Sequence, residues 1–172
     1  QLAREFHDDR SIAIIELNFS KVYLHQNQVT LAFYHVRKAQ RSFLQEKDLY
    51  HVAQCAHSIG NIATVKGDVV LAKTSYEQAI SFFKNEKMEA DLAEVYQDFG
   101  QLCLQIGDLS KAKYYLELSV ESDNIVHSIS LIDRYKLLSM LFMKNGDLRK
   151  ALKFQNDYIQ FLESNSIKRN DS

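Results

Sequence analysis

The stretch Gly60 to Ile80, GNIATVKGDVVLAKTSYEQAI, constrains the fold more than any other part of the chain. It reads as the end of one helix, a Gly-Asp corner and a second helix. Gly67 ends the first helix, because glycine enters the left-handed conformation of a C-terminal cap without a Cβ penalty. Asp68 is placed to accept a backbone N–H at the start of the next helix. Ala72, Tyr76 and Ala79 then follow on one helical face, at i, i+4 and i+7. The pattern returns from Gly100 as GQLCLQIGDLSKAKYYLELSV, with Gly107-Asp108 at the corner and Ala112 in the place of Ala72. A third copy holds Gly146-Asp147 and Ala151, and a more divergent one holds Asn27, Ala32 and Ala39. Ala32, Ala72, Ala112 and Ala151 are 40, 40 and 39 residues apart. A fixed period of this length is the signature of a helical solenoid.

These residues resemble the tetratricopeptide repeat (TPR), with its small and aromatic positions on helix A, a Gly-Asp-type corner, and Ala, aromatic and Ala on helix B. The resemblance covers nearly the whole chain. The period departs from the usual 34 residues, and the family's closing proline and early tryptophan are missing, since the chain has neither residue. Longer helices account for the added residues. Arrays of this long period look like those of peptide-sensing bacterial regulators. The resemblance implies an all-α, right-handed superhelix of about four helix-turn-helix repeats, with the A helices lining a concave surface.

The expected repeats span about 10–47, 48–87, 88–124 and 125–163. Residues 1–9 would be the end of a preceding helix and a link, and 164–172 a polar tail. In the first A helix, Ile12, Ile15, Phe19, Val22 and Tyr23 recur at helical spacing. Ala72, Ala112 and Ala151 are expected where helix B presses on its own helix A, and Tyr76 and Leu116 toward the following repeat. Gln1 to Phe6 matches the end of a helix B one repeat on, and the chain does not open on methionine. The expectation is a fragment of a larger regulator with its effector part upstream.

Composition narrows the function. A chain of 172 residues is long enough for one sizeable core. Its net charge is −1 without a basic block, which argues against nucleic-acid binding by this segment. No apolar run reaches the roughly 18 residues of a membrane span. Cys55 and Cys103 fit a reduced, cytoplasmic setting better than a disulfide framework. His51 and Cys55 have a legal i, i+4 spacing for metal ligands, but nothing completes the set, so no metal is expected. No nucleophile elbow, phosphate loop or dinucleotide fingerprint is present. No enzymatic activity and no cofactor are expected.

The polar residues of the A helices carry the functional reading. By resemblance to the repeat family, the groove-facing positions are Gln54, His57, Ser58 and Asn61 in the second repeat. In the third they are Glu94, Gln97, Asp98, Gln101 and Gln105. Asn and Gln each offer a donor and an acceptor, matching the backbone of an extended peptide. Asn61, Gln97 and Gln101 are expected to grip such a peptide, and Gln54, His57 and Glu94 to set selectivity. The partner is then a peptide or protein. The alternative is a scaffold or homo-oligomerisation module, with Tyr34, Tyr50, Tyr96 and Tyr114 as candidate interface anchors.

Overall fold

The computed structural model describes residues 9–122 and 130–170. The expectations for Gln1 to Asp8, for the link at Asp123-Asn124, for a fourth A helix starting at Ile125 and for Asp171-Ser172 lie outside the described residues. Eight helices occur among the described residues, and no strand. They are α1 (Asp9–His25), α2 (Val29–Gln45), α3 (Leu49–Lys66), α4 (Val69–Asn85), α5 (Glu89–Gln105), α6 (Leu109–Glu121), α7 (Ser130–Lys144) and α8 (Leu148–Asn170).

The chain forms two compact units, Gln1–Glu86 and Lys87–Ser172. In the first, α1 pairs with α2 and α3 with α4, and the second pair stacks on the first through α2 and α3. In the second unit, α5 pairs with α6 and α7 with α8, stacked through α6 and α7. The A helices also meet directly, α1 beside α3 and α5 beside α7. Each unit is two repeats of a TPR-like α-solenoid.

The corners work as their residues require. Gly67, Gly107 and Gly146 have φ of 80, 81 and 77°, and Asn27 stands in with φ 58°. At each, the residue after the corner reaches back to the helix it leaves. The Asp68 N–H bonds the Ala63 carbonyl at 2.9 Å, and the Asp108 N–H bonds that of Cys103 at 2.9 Å. These are the 6→1 bonds of a Schellman cap. Asp68, Asp108 and Asp147 then cap the following helices, each accepting a backbone N–H at 3.1 Å. The links between repeats, which read only as polar in the sequence, are corners of the same kind. Lys47 and Lys87 sit at φ 57° and 55°, again 40 residues apart.

Helix pairs approach closely where helix A is small. A Cβ on Gly60 would lie 2.5 Å from Tyr76 Cε1, and one on Gly100 would lie 2.7 Å from Leu116 Cγ. Tyr76 and Leu116 therefore pack into their own pair, whereas the sequence suggested contact with the following repeat. The missing Cβ opens the slot that each fills. At the same repeat position the first and fourth A helices carry Ser20 and Ser139, both buried. The Ser20 hydroxyl has no hydrogen-bond partner. Leaving a buried hydroxyl unpaired costs on the order of 1–3 kcal/mol. We expect Ser20→Ala to stabilise the protein by about 1 kcal/mol in urea unfolding.

Two further expectations change. Ile12, Ile15, Phe19 and Val22 do not form the core face of α1, which is Ala13, Leu17 and Ser20 instead; the four apolar residues are exposed. At the other end, α8 runs on to Asn170 rather than ending near Glu163. No proline or glycine interrupts residues 148–170, so nothing local breaks the helix.

Candidate functional site

The six candidate residues are three repeat positions taken twice. Gln54, His57 and Asn61 form one stripe along α3 at i, i+3 and i+7. Glu94, Gln97 and Gln101 form the equivalent stripe along α5, 40 residues on. Each triplet lies within one unit.

In the first unit the stripe is deeply set. His57 is buried, and Gln54 and Asn61 are half-buried. The Tyr76 hydroxyl donates to Asn61 Oδ1 at 2.7 Å and lies 3.1 Å from Thr64 Oγ1. The His57 ring lies 6.2 Å from that of Tyr76. Gln54 Nε2 is 3.3 Å from the Tyr50 hydroxyl. Asn61 therefore supports the α3–α4 packing as well as facing the stripe. Beside it, α1 presents the exposed Asn18, Lys21 and His25.

In the second unit, Glu94 and Gln101 are exposed and Gln97 is half-buried between them. Gln97 Oε1 accepts from Arg134 Nε at 3.0 Å. Arg134, on the neighbouring α7, is only 1% exposed. The α7 side of this face adds the exposed Asp133, Lys136, Met140 and Lys144. Thus the central amide is pinned from below, and Glu94 and Gln101 project on either side of it. This arrangement offers a carboxylate and amides at helical intervals, with lysines along the edge. Such groups bind polar chains by hydrogen bonds and charge.

Sequence reasoning did not find the supporting residues. Tyr76 was detectable, since the intervals Gly60 to Tyr76 and Gly100 to Leu116 are identical. Arg134 gave no signal, because its repeat equivalents are Cys55 and Val95. Of the tyrosines, Tyr34 and Tyr114 are exposed and available as anchors, whereas Tyr96 is buried and Tyr50 half-buried against Phe83.

The reactive side chains are occupied in structure. Cys55 and Cys103 are free and buried, and burial pushes the Cys55 thiol up to about 12. His51 places Nδ1 2.8 Å from Asp48 Oδ2 and stacks on Phe43 with ring centres 4.6 Å apart. Among the described residues, no three His, Cys, Asp or Glu side chains gather as a metal site. None of the helices is long and apolar enough to cross a membrane, again among the described residues.

Two carboxylates tie helices together. Burial works against the ionised Asp48, but the His51 backbone N–H, the His51 ring and the Arg10 guanidinium outweigh it and lower its pKa. Burial likewise opposes the charge on Glu16, and Lys38 and His35 of α2 outweigh it. Both carboxyls are depressed in the folded state. Their contribution is present above the ordinary carboxylate range and is lost as pH falls through that range to the folded values. We expect melting temperature to fall on acidification below about pH 5. Asp48→Asn should flatten part of that slope. An identical acid profile for the variant would refute the assignment.

A family model described as "soluble NSF attachment protein, SNAP" matches residues 7–161. No curated protein matches the chain significantly. The matched family has a TPR-like helical superhelix. The match therefore supports the helical-repeat reading and does not extend to the peptide-sensing regulators that the long period resembles.

Proposed function

The chain belongs to the soluble NSF attachment protein family, and from that premise we propose that this helical interaction module takes a short extended peptide along its A-helix stripes. The reading is non-catalytic: the family is one of adaptors, and the buried thiol of Cys55 is held protonated. Two free, buried cysteines suit a reducing compartment such as the cytoplasm.

The observation that carries this reading is the pinned amide. Gln97 is fixed by a buried guanidinium, so its orientation is set before a ligand arrives. Glu94 and Gln101 stand exposed on the same stripe. A preorganised polar face binds without the ordering cost that loose side chains would impose. Gln101 and Gln97 would hold the peptide backbone and Glu94 would select a basic or hydrogen-bond-donating side chain. Gln54, His57 and Asn61 are assigned the corresponding roles in the first unit.

The test is to pan a library of displayed peptides against the purified protein and measure affinities of the recovered sequences. Gln101→Ala should weaken them about tenfold, the loss of one well-formed hydrogen bond. Glu94→Ala should change which sequences are recovered. Unaltered binding and selection in both variants would reject the site.

The family's own description favours a second reading, in which the same faces meet a folded protein, as an attachment protein for NSF would. Binding of purified NSF that is lost in Gln101→Ala, without peptide recovery, would support it.

A further inference from the structure

The first helix carries an apolar face with nothing over it. Ile12, Ile15, Phe19 and Val22 lie at i, i+3, i+7 and i+10 along α1 and are between 39% and 52% exposed. Their repeat equivalents in α3 are Val52, Cys55, Ile59 and Ile62. Of these, Cys55, Ile59 and Ile62 lie in one core with residues of α1 and α2, and Val52 packs against it. In α7 the equivalents of the last three are Arg134, Leu138 and Leu141, all buried. The α1 row is therefore a stacking surface of the repeat, built to receive the outer row of a helix B.

That outer row is known from α2, whose residues at the matching places are Phe33, Val36, Gln40 and Phe43. All four are buried or half-buried, and Phe43 stacks on His51 of α3. The equivalents in α8, 119 residues on, are Leu152, Gln155, Ile159 and Leu162. All four are exposed, the three aliphatic ones between 41% and 59%. The row keeps the pattern of α2, two apolar ends with an amide between, yet stands open. Arrays normally end in polar caps that keep them apart. Here the first helix A and the last helix B both present the unsatisfied halves of one recurring interface.

We infer that a second copy of this chain seats its α8 row on α1, a head-to-tail stacking that repeats the α2–α3 contact between molecules. Ile15 and Phe19 take the central places, facing Gln155 and Ile159, and Leu162 takes that of Phe43. Because the two surfaces differ, the contact is heterologous and can extend beyond a dimer. This goes beyond the peptide-binding reading and does not depend on it.

The experiment is sedimentation velocity across a wide concentration range, on the whole chain and on two variants at exposed positions, Ile15→Glu and Leu162→Glu. Circular dichroism confirms that both are folded; Ile12→Lys and Leu152→Lys replace any that is not. Wild type should grow with concentration past the dimer. Each variant alone should associate at least about tenfold more weakly, the effect of burying one charge in an apolar contact. An equimolar mixture of the two should form a one-to-one dimer and stop, since one sound α1 and one sound α8 remain. A wild type that stays monomeric overturns the inference. So does association that Ile15→Glu abolishes but Leu162→Glu leaves intact, which would mark an α1-to-α1 contact or another partner.

Discussion

Gly60→Val is expected to destabilise the first unit by about 3 kcal/mol, the upper part of the range for overpacking a tight contact. The first added atom already meets the Tyr76 ring at 2.5 and 2.6 Å. A ring can often swing aside, but this one cannot do so cheaply. Tyr76 is 1% exposed, and its hydroxyl donates to Asn61 at 2.7 Å. Moving it would break that bond and open the α3–α4 contact. Helix propensity runs the other way, since glycine is the poorer helix former by about 0.5–1 kcal/mol. That gain is smaller than the clash, so the net effect is loss. Urea unfolding of the variant beside Gly60→Val/Tyr76→Ala measures the coupling. The double variant should lose less than the two singles added together. Strict additivity would mean that the glycine is not there to admit the tyrosine.

Gln97→Leu is the second large effect. Arg134 is the largest of the fully buried side chains, and its Nε–H is directed at Gln97 Oε1 at 3.0 Å. Replacing the acceptor by an alkyl group leaves a charged donor short of one partner away from water. The cost is on the order of 2–3 kcal/mol, as for other buried hydrogen bonds to charged groups. Adding Arg134→Met should return most of that loss, because an apolar pair of similar volume removes the desolvated charge. Thermal and urea unfolding of the single and double variants decide the matter. A single variant as stable as the wild type would show that the amide does not hold the arginine.

The corners and the repeat were legible because each residue there has one physical role. Gly-Asp at a fixed interval has few uses besides a left-handed stop followed by a cap, and the spacing of Ala32, Ala72, Ala112 and Ala151 fixed the register. Residues with more than one role were harder to read. Asn61 looked like a groove residue alone, but its carbonyl is taken by Tyr76, so Asn61→Ala should cost stability as well as any binding. Binding is better tested at Glu94 and Gln101, which are exposed.

The apolar row of α1 misled for a related reason. Helical spacing shows that Ile12, Ile15, Phe19 and Val22 share a face, but not whether anything covers it. In α3 and α7 the same positions are covered, so the pattern is that of a core even where the residues are open. Ser20 and Ser139 hid the small-residue position because serine is common on helix surfaces. The 40-residue register alone would have placed both beside Gly60 and Gly100. Lys47 and Lys87 hid two corners, since lysine is not expected at positive φ.

The direct measurement is the affinity of a peptide selected on the wild-type protein, compared with Gln101→Ala by calorimetry, with the melting temperature of both recorded. We expect affinity to fall about tenfold while the melting temperature stays within a degree or two, as suits loss of one exposed hydrogen-bonding group. Equal affinity in the two proteins, or failure to select any peptide at all, would contradict a binding role for the A-helix stripe.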